Sequence, residues 1–167
     1  LARLCRLSLR PSIWQGSVKA RDNTALIADV GTPWPEFAEI LTRIMGPESG
    51  QKSLKILFLA GSSGEIIFDL RLIRVLIRLG HKVILVFKEG FSLDNPVFWD
   101  VEHDSALASG LGEAFFVENS RMSKNELLRA LRENALLVIS DGTRERLNLW
   151  RTSVTFARSW KEADLII

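Results

Sequence analysis

The residues best suited to chemistry are Gly61-Ser62-Ser63-Gly64-Glu65, which follow a short apolar run and precede a helical pattern. Two glycines let backbone come close to a ligand, and two hydroxyls can donate hydrogen bonds. The N–H groups that open a helix favour an anion. Gly61, Ser62, Ser63 and Gly64 are therefore candidate substrate-binding residues, with Glu65 at their end. The same five residues also make a tight strand-to-helix turn without any ligand. They match neither GxGxxG nor a phosphate loop ending Gly-Lys-Ser/Thr.

Three more strand ends can carry function, because open parallel sheets bind ligands beyond the carboxyl ends of their strands. Lys88 ends the second apolar run, where an ammonium can meet a phosphate or simply be a solvated loop lysine. Asp141, in Ser140-Asp141-Gly142-Thr143, is a candidate substrate-binding residue, and Glu118-Asn119-Ser120 ends the third run. Asp94, Asp100, Glu102, His103 and Asp104 form an acidic segment. Its carboxylates suit either a divalent cation or the caps and dipole partners of helix starts. Asp69 lies near the arginines of the first helix and is expected to pair at the surface.

Several chemistries find no support. Neither His81 nor His103 has a nucleophile elbow to complete a Ser/His/Asp triad, and Cys5 is the one cysteine, so no zinc spacing exists. A dinucleotide or S-adenosylmethionine reading of the glycine turn lacks an acid at the end of strand two, where Lys88 stands. A formal net charge of +2 with no basic face speaks against nucleic acid. No apolar run reaches the roughly 18 residues that span a bilayer. A single cysteine fits a reducing compartment, hence a cytoplasmic location. The first ten residues hold three arginines and no acid, which suits a basic amphipathic lead-in or the remnant of a targeting sequence.

The elements that must position these residues alternate. Leu54–Ala60, Val83–Phe87, Ala114–Val117, Leu136–Ser140 and Leu165–Ile167 read as strands, the first of them buried on both faces. Between them lie helical patterns at Gly64–Leu79, 100–109 ended by Gly110, Ser123–Arg132 with a capping box to Glu126, and Arg144–Trp160. On the first helix Ile66, Ile67, Leu70, Ile73, Leu76 and Ile77 share a side. On the last, Leu147, Leu149, Trp150, Val154 and Phe156 are available to bury. The expected fold is α/β, a three-layer, mostly parallel Rossmann-like sheet with helices on both faces. Residues 1–52 form an irregular and helical lead-in, with a helix from Thr32-Pro33 to Gly46-Pro47. Residues 53–167 form the α/β domain, and the terminal apolar run suggests a piece of a longer protein.

LKILFLAGSSGEIIFDLRLIRVLIRLGHKVILVFK, DVEHDSALASGL from Asp100, and the closing SVTFARSWKEADLII resemble, in order and spacing, segments of the DUF89 family. These are the damage-control phosphatases, with an ARMT1-like metal-binding domain. The resemblance implies hydrolysis of sugar phosphates or damaged phosphometabolites with a divalent metal, manganese, nickel or cobalt. The family's metal-binding Asp-Asn pair falls on Gly61 and Ser62, its third ligand on Asp100, with Asp94 as the rival position. Gly64, Glu65 and Asp69 match the family pattern, whereas Trp99 replaces the Asn before its Asp.

Metal ligands would then be Asp100 and Ser62, with Lys88 countering phosphate charge and Glu65 orienting a ligand hydroxyl or metal-bound water. Glycine offers no side-chain oxygen, and a serine hydroxyl is a poor ligand for a hard cation. The expected function is a phosphatase domain with a degraded metal site, acting on a small phosphorylated metabolite. The alternative is a non-catalytic module that binds a phosphometabolite or nucleotide.

Overall fold

The computed structural model describes residues 53–91, 94–145 and 148–167. The Thr32–Gly46 helix and the rest of the lead-in lie outside the described residues. Five strands form one all-parallel sheet: β1 (Lys55–Leu59), β2 (Lys82–Phe87), β3 (Phe115–Val117), β4 (Leu136–Ser140) and β5 (Leu165–Ile166), in the order β3-β4-β2-β1-β5. The helices are α1 (Ile66–Arg78), α2 (Ser105–Leu111), α3 (Lys124–Glu133) and α4 (Val154–Glu162), with a 3-10 turn at Phe98–Glu102. The expected α/β class is present, and β1 pairs with β2 as a parallel neighbour.

Strand alternation sorts the core into two layers. Ile56, Phe58, Val83, Leu85 and Val138 point to one face, where Leu70, Ile73 and Leu76 of α1 and Leu107 and Leu111 of α2 cover them. Leu57, Ile84, Val86, Leu137 and Ile139 point to the other, against Leu127 and Leu131 of α3 and Phe156 of α4. Because side chains alternate along a strand, a stretch buried on both faces must be apolar, as Val83–Phe87 of β2 and Leu136–Ile139 of β4 are.

This sorting fixes where a crevice forms. The chain leaving β2 passes to α2 on the first face, and the chain leaving neighbouring β4 passes to α4 on the second. Connections that diverge from adjacent strands open the sheet's carboxyl edge between them, the usual ligand position in such folds.

Four local expectations are corrected. Asp69 is buried rather than a surface pairing residue, because its i+3 and i+4 neighbours Leu72 and Ile73 both face the sheet. Ile67 is half exposed and does not share the core face. The 100–109 helix is instead the 3-10 turn followed by α2, whose N-cap is Asp104 through bonds from the Ala106 and Leu107 N–H groups. Gly110 lies inside α2, where a Cβ would strike Leu70, so it allows close packing of α2 on α1 and does not end the helix.

The last helix starts ten residues later than the apolar pattern indicated, at Val154, with Ser153 as its cap. Arg144–Ser153 is instead a loop among the described residues, and Leu149, Val154 and the almost fully exposed Trp150 are not buried. Leu147 lies outside the described residues. Among the described residues of that apolar set, Phe156 alone is in the core.

Candidate functional site

The first turn closes on itself. Glu65 stands at the N-terminus of α1, and its Oε2 accepts the Ser62 N–H at 3.1 Å. The carboxylate fills the space above Gly61, so that a Cβ added there would collide with Oε2. An intramolecular carboxylate thus already takes the position that the glycine turn offered to an anion.

The loop after β2 folds back onto this turn. Lys88 bridges Val97 in parallel, and the Phe98 N–H donates to the Lys88 carbonyl at 2.9 Å. The fold-back brings Asp94 and Asn95 over the turn. The Ser63 N–H and hydroxyl both donate to the Asp94 carbonyl at 2.6 Å, and the Asn95 amide donates to the Gly61 carbonyl at 3.0 Å. Nothing in the sequence around Asn95 marks it as functional. A short polar side chain beside Pro96 reads as an ordinary turn residue, and only the fold-back gives it a role.

Asp100 sits in the 3-10 turn, where its Oδ2 accepts the Val97 N–H at 2.8 Å. It shares a cavity of about 240 Å³ with Ser63, Ile66, His103 and Asp104, a set that does not include Glu65. A larger cavity of about 380 Å³, between Arg74, Arg78 and Leu136, adjoins the end of α1 and the start of β4. It lies at the opposite edge of the sheet from the candidate residues.

Lys88 and Asp141 meet in the crevice between β2 and β4. The Lys88 ammonium donates to Asp141 Oδ2 at 2.7 Å, to the Glu145 carbonyl at 2.6 Å and to Thr143 Oγ1 at 3.4 Å. Asp141 Oδ1 accepts the Thr143 N–H at 2.8 Å, and Oδ2 also accepts the Thr143 hydroxyl at 2.9 Å. The side chains of Lys88 and Asp141 are 14% and 3% exposed. Lys88 is therefore not a solvated loop lysine, and all three of its ammonium protons have partners within the protein. The Asp141 carboxylate is enclosed by its own donors.

Beyond this pair the edge is basic. Gly142, with φ of +78°, borders two cavities of about 340 and 360 Å³. Arg144 and Glu145 line the first, Glu89, Ser120 and Arg121 the second, and Arg151 both. Arg151 pairs with Glu145 at 2.8 Å, both side chains being exposed.

A divalent metal is not well accommodated by these residues. Position 61 supplies no side-chain oxygen, Glu65 Oε2 is engaged by Ser62, and Asp100 Oδ2 is engaged by Val97. Among the described residues no three His, Cys, Asp or Glu side chains come together as a metal site. Hard cations require several oxygen ligands, preferably carboxylates.

The fold is a three-layer parallel α/β sheet, and in such sheets ligands bind beyond the carboxyl edge. Residues 13–167 match the family model described as damage-control phosphatase ARMT1-like domain, and the chain belongs to that family. The match starts within the segment read as lead-in. A crystal structure of a DUF89 family protein from Pyrococcus horikoshii shares the fold, with a TM-score of 0.59 at 19% identity. The alignment covers 99% of this chain and 48% of that one, so the chain spans about half the length of this relative. No curated protein matches the chain by sequence. Among the described residues no helix is long and apolar enough to cross a membrane.

Proposed function

We propose that this domain binds a small phosphorylated metabolite at the carboxyl edge of its sheet, with metal-dependent hydrolysis strongly reduced relative to the family's pattern. The observation that carries the reading is the first turn. Gly61 and Ser62 stand where the family resemblance puts Asp and Asn, and Glu65 folds into the space that Gly61 leaves. Losing even a residue that only supports a metal ligand typically lowers affinity about 10–100-fold, and losing direct ligands removes more. Glu65, Ser62 and Ser63 then face the hydroxyl groups of the ligand, since a carboxylate accepts a hydroxyl proton and repels a phosphate. Asp100, at the cavity shared with Ser63, is the remaining carboxylate of the proposed ligand set.

The test compares the native chain with the double variant Gly61→Asp, Ser62→Asn, following manganese-dependent hydrolysis of a generic phosphate ester. The Gly61→Asp change requires the Glu65 carboxylate to swing aside, which the end of a flexible side chain can do. Activity gained only by the double variant supports the reading. Strong manganese-dependent turnover by the native chain refutes it.

A further inference from the structure

We infer that the cleft over Gly142, lined by Arg121 and Arg151, is the subsite that holds the phosphate of the metabolite. This rests on the reading of the carboxyl edge as a ligand site and adds which residues take the anion.

Three observations lead there. The first is topological: the connections from β2 and β4 diverge to opposite faces, so the crevice of this sheet opens between those two strands. Gly142 lies two residues beyond the end of β4 at that point, after Asp141. The second is charge. Arg121, Arg144 and Arg151 line the two adjoining cavities against Glu89 and Glu145, leaving one more cation than anions. Arg151 is already committed to a carboxylate, Glu145, in a geometry that an incoming phosphate can take over. The third is elimination at the neighbouring positions. The Lys88 ammonium, the other cation at this crevice, is consumed by Asp141, Thr143 and the Glu145 carbonyl. The Ser62 N–H is consumed by Glu65. An anion arriving at this edge finds its donors among the arginines, with Arg121 and Arg151 sharing one cavity with Gly142 and Arg144 lining the other.

Gly142 shapes the cleft floor. A Cβ there would lie 2.9 Å from the Ser153 backbone nitrogen, so only glycine lets the 140–143 loop run this close to Ser153. β1 and β4 both flank β2, and strands are spaced by about 4.8 Å, so the first turn and the Gly142 cleft start roughly 10 Å apart. That separation suits a phosphorylated polyol with its hydroxyls at Glu65 and its phosphate at the arginines. A phosphate held there is also distant from positions 61 and 62, which accords with binding rather than hydrolysis.

The experiment uses the full chain, isotope-labelled, with backbone amide shifts followed during titration. Inorganic phosphate is the first ligand and ribose 5-phosphate the second. Phosphate is expected to move the Ser120, Arg121, Gly142 and Thr152 amides saturably. Binding should weaken at least tenfold in Arg121→Gln, Arg151→Gln and recover largely in Arg151→Lys. Glu145→Gln, which releases Arg151, should tighten it severalfold. Absence of saturable shifts in this set, or their survival in the double glutamine variant, overturns the inference. Ribose 5-phosphate separates the two claims. Shifts at Gly142 without shifts at Gly61–Gly64 keep the subsite and overturn the hydroxyl-facing role of the first turn, and the converse pattern does the reverse.

Discussion

Lys88 Nζ lies 2.7 Å from Asp141 Oδ2, and this ion pair joins the ends of β2 and β4 at the crevice of the sheet. Removing one member of a buried pair leaves the other charged and unpaired, typically at about 3–5 kcal/mol. Asp141→Ala and Lys88→Met should each destabilise the domain by about 3 kcal/mol, measured by urea unfolding. The double variant should lose less than the sum of the two. Strict additivity would mean that the pair is not coupled.

Gly61 and Gly142 contrast in what confines them. At Gly61 a new Cβ meets only the mobile end of Glu65, whereas at Gly142 it meets backbone and the residue has a positive φ. Gly61→Ala should change stability by less than about 1 kcal/mol. Gly142→Ala should cost more than about 2 kcal/mol, since left-handed strain alone is of order 1–3 kcal/mol. Thermal unfolding of both variants checks the order.

Phe156 is fully buried while Trp150 is 97% exposed, although the sequence pattern made both available to bury on one helix. Phe156→Ala should cost about 3–5 kcal/mol. Trp150→Ala should stay within about 0.5 kcal/mol. A large loss on removing Trp150 would contradict the start of α4 at Val154.

Ser123 and Glu126 form a reciprocal cap at α3, with the Ser123 N–H donating to Glu126 Oε2 at 2.6 Å and the Glu126 N–H donating to Ser123 Oγ at 3.3 Å. The hydrogen bond with Ser123 holds the Glu126 carboxyl below its ordinary range. A carboxyl lowered in the folded state adds stability that is complete above its unfolded pKa, about 4.3. That contribution is lost as pH falls through the lower folded value. Ser123→Ala should cost about 1 kcal/mol at pH 7. Against Glu126→Gln, the native chain should lose more stability between about pH 7 and pH 3. Equal pH profiles would remove the carboxylate from the cap.

Leu136–Ser140 as a strand, the α1 amphipathic helix and the Ser123 cap were all legible in the chain, because each is written in neighbouring residues. Periodicity fixes which side of a helix or strand is apolar, and cap chemistry is a matter of three or four residues. The same locality explains the errors. Trp150 and Leu149 fit a helical pattern, yet Asn148 Oδ1 accepts the Trp150 N–H and Ser153 starts the helix afresh. Side chains that bond nearby backbone compete with helix formation, and periodicity does not register them.

By itself the sequence determined the parallel α/β class, the five apolar strands, the family segments and the substitution of Gly61 and Ser62. Those follow from residue types and short spacings. The tertiary structure decided the rest: that Asp69 is buried, that Asn95 rests on Gly61, that Lys88 is tied to Asp141, and that Gly142 borders the arginines. Lys88 and Asp141 are 53 residues apart and Gly61 and Asn95 are 34 apart. Such contacts are set by strand order, which places β4 rather than β3 beside β2. Strand order follows from burying two apolar faces under helices at once, a condition on the whole chain that no local pattern contains.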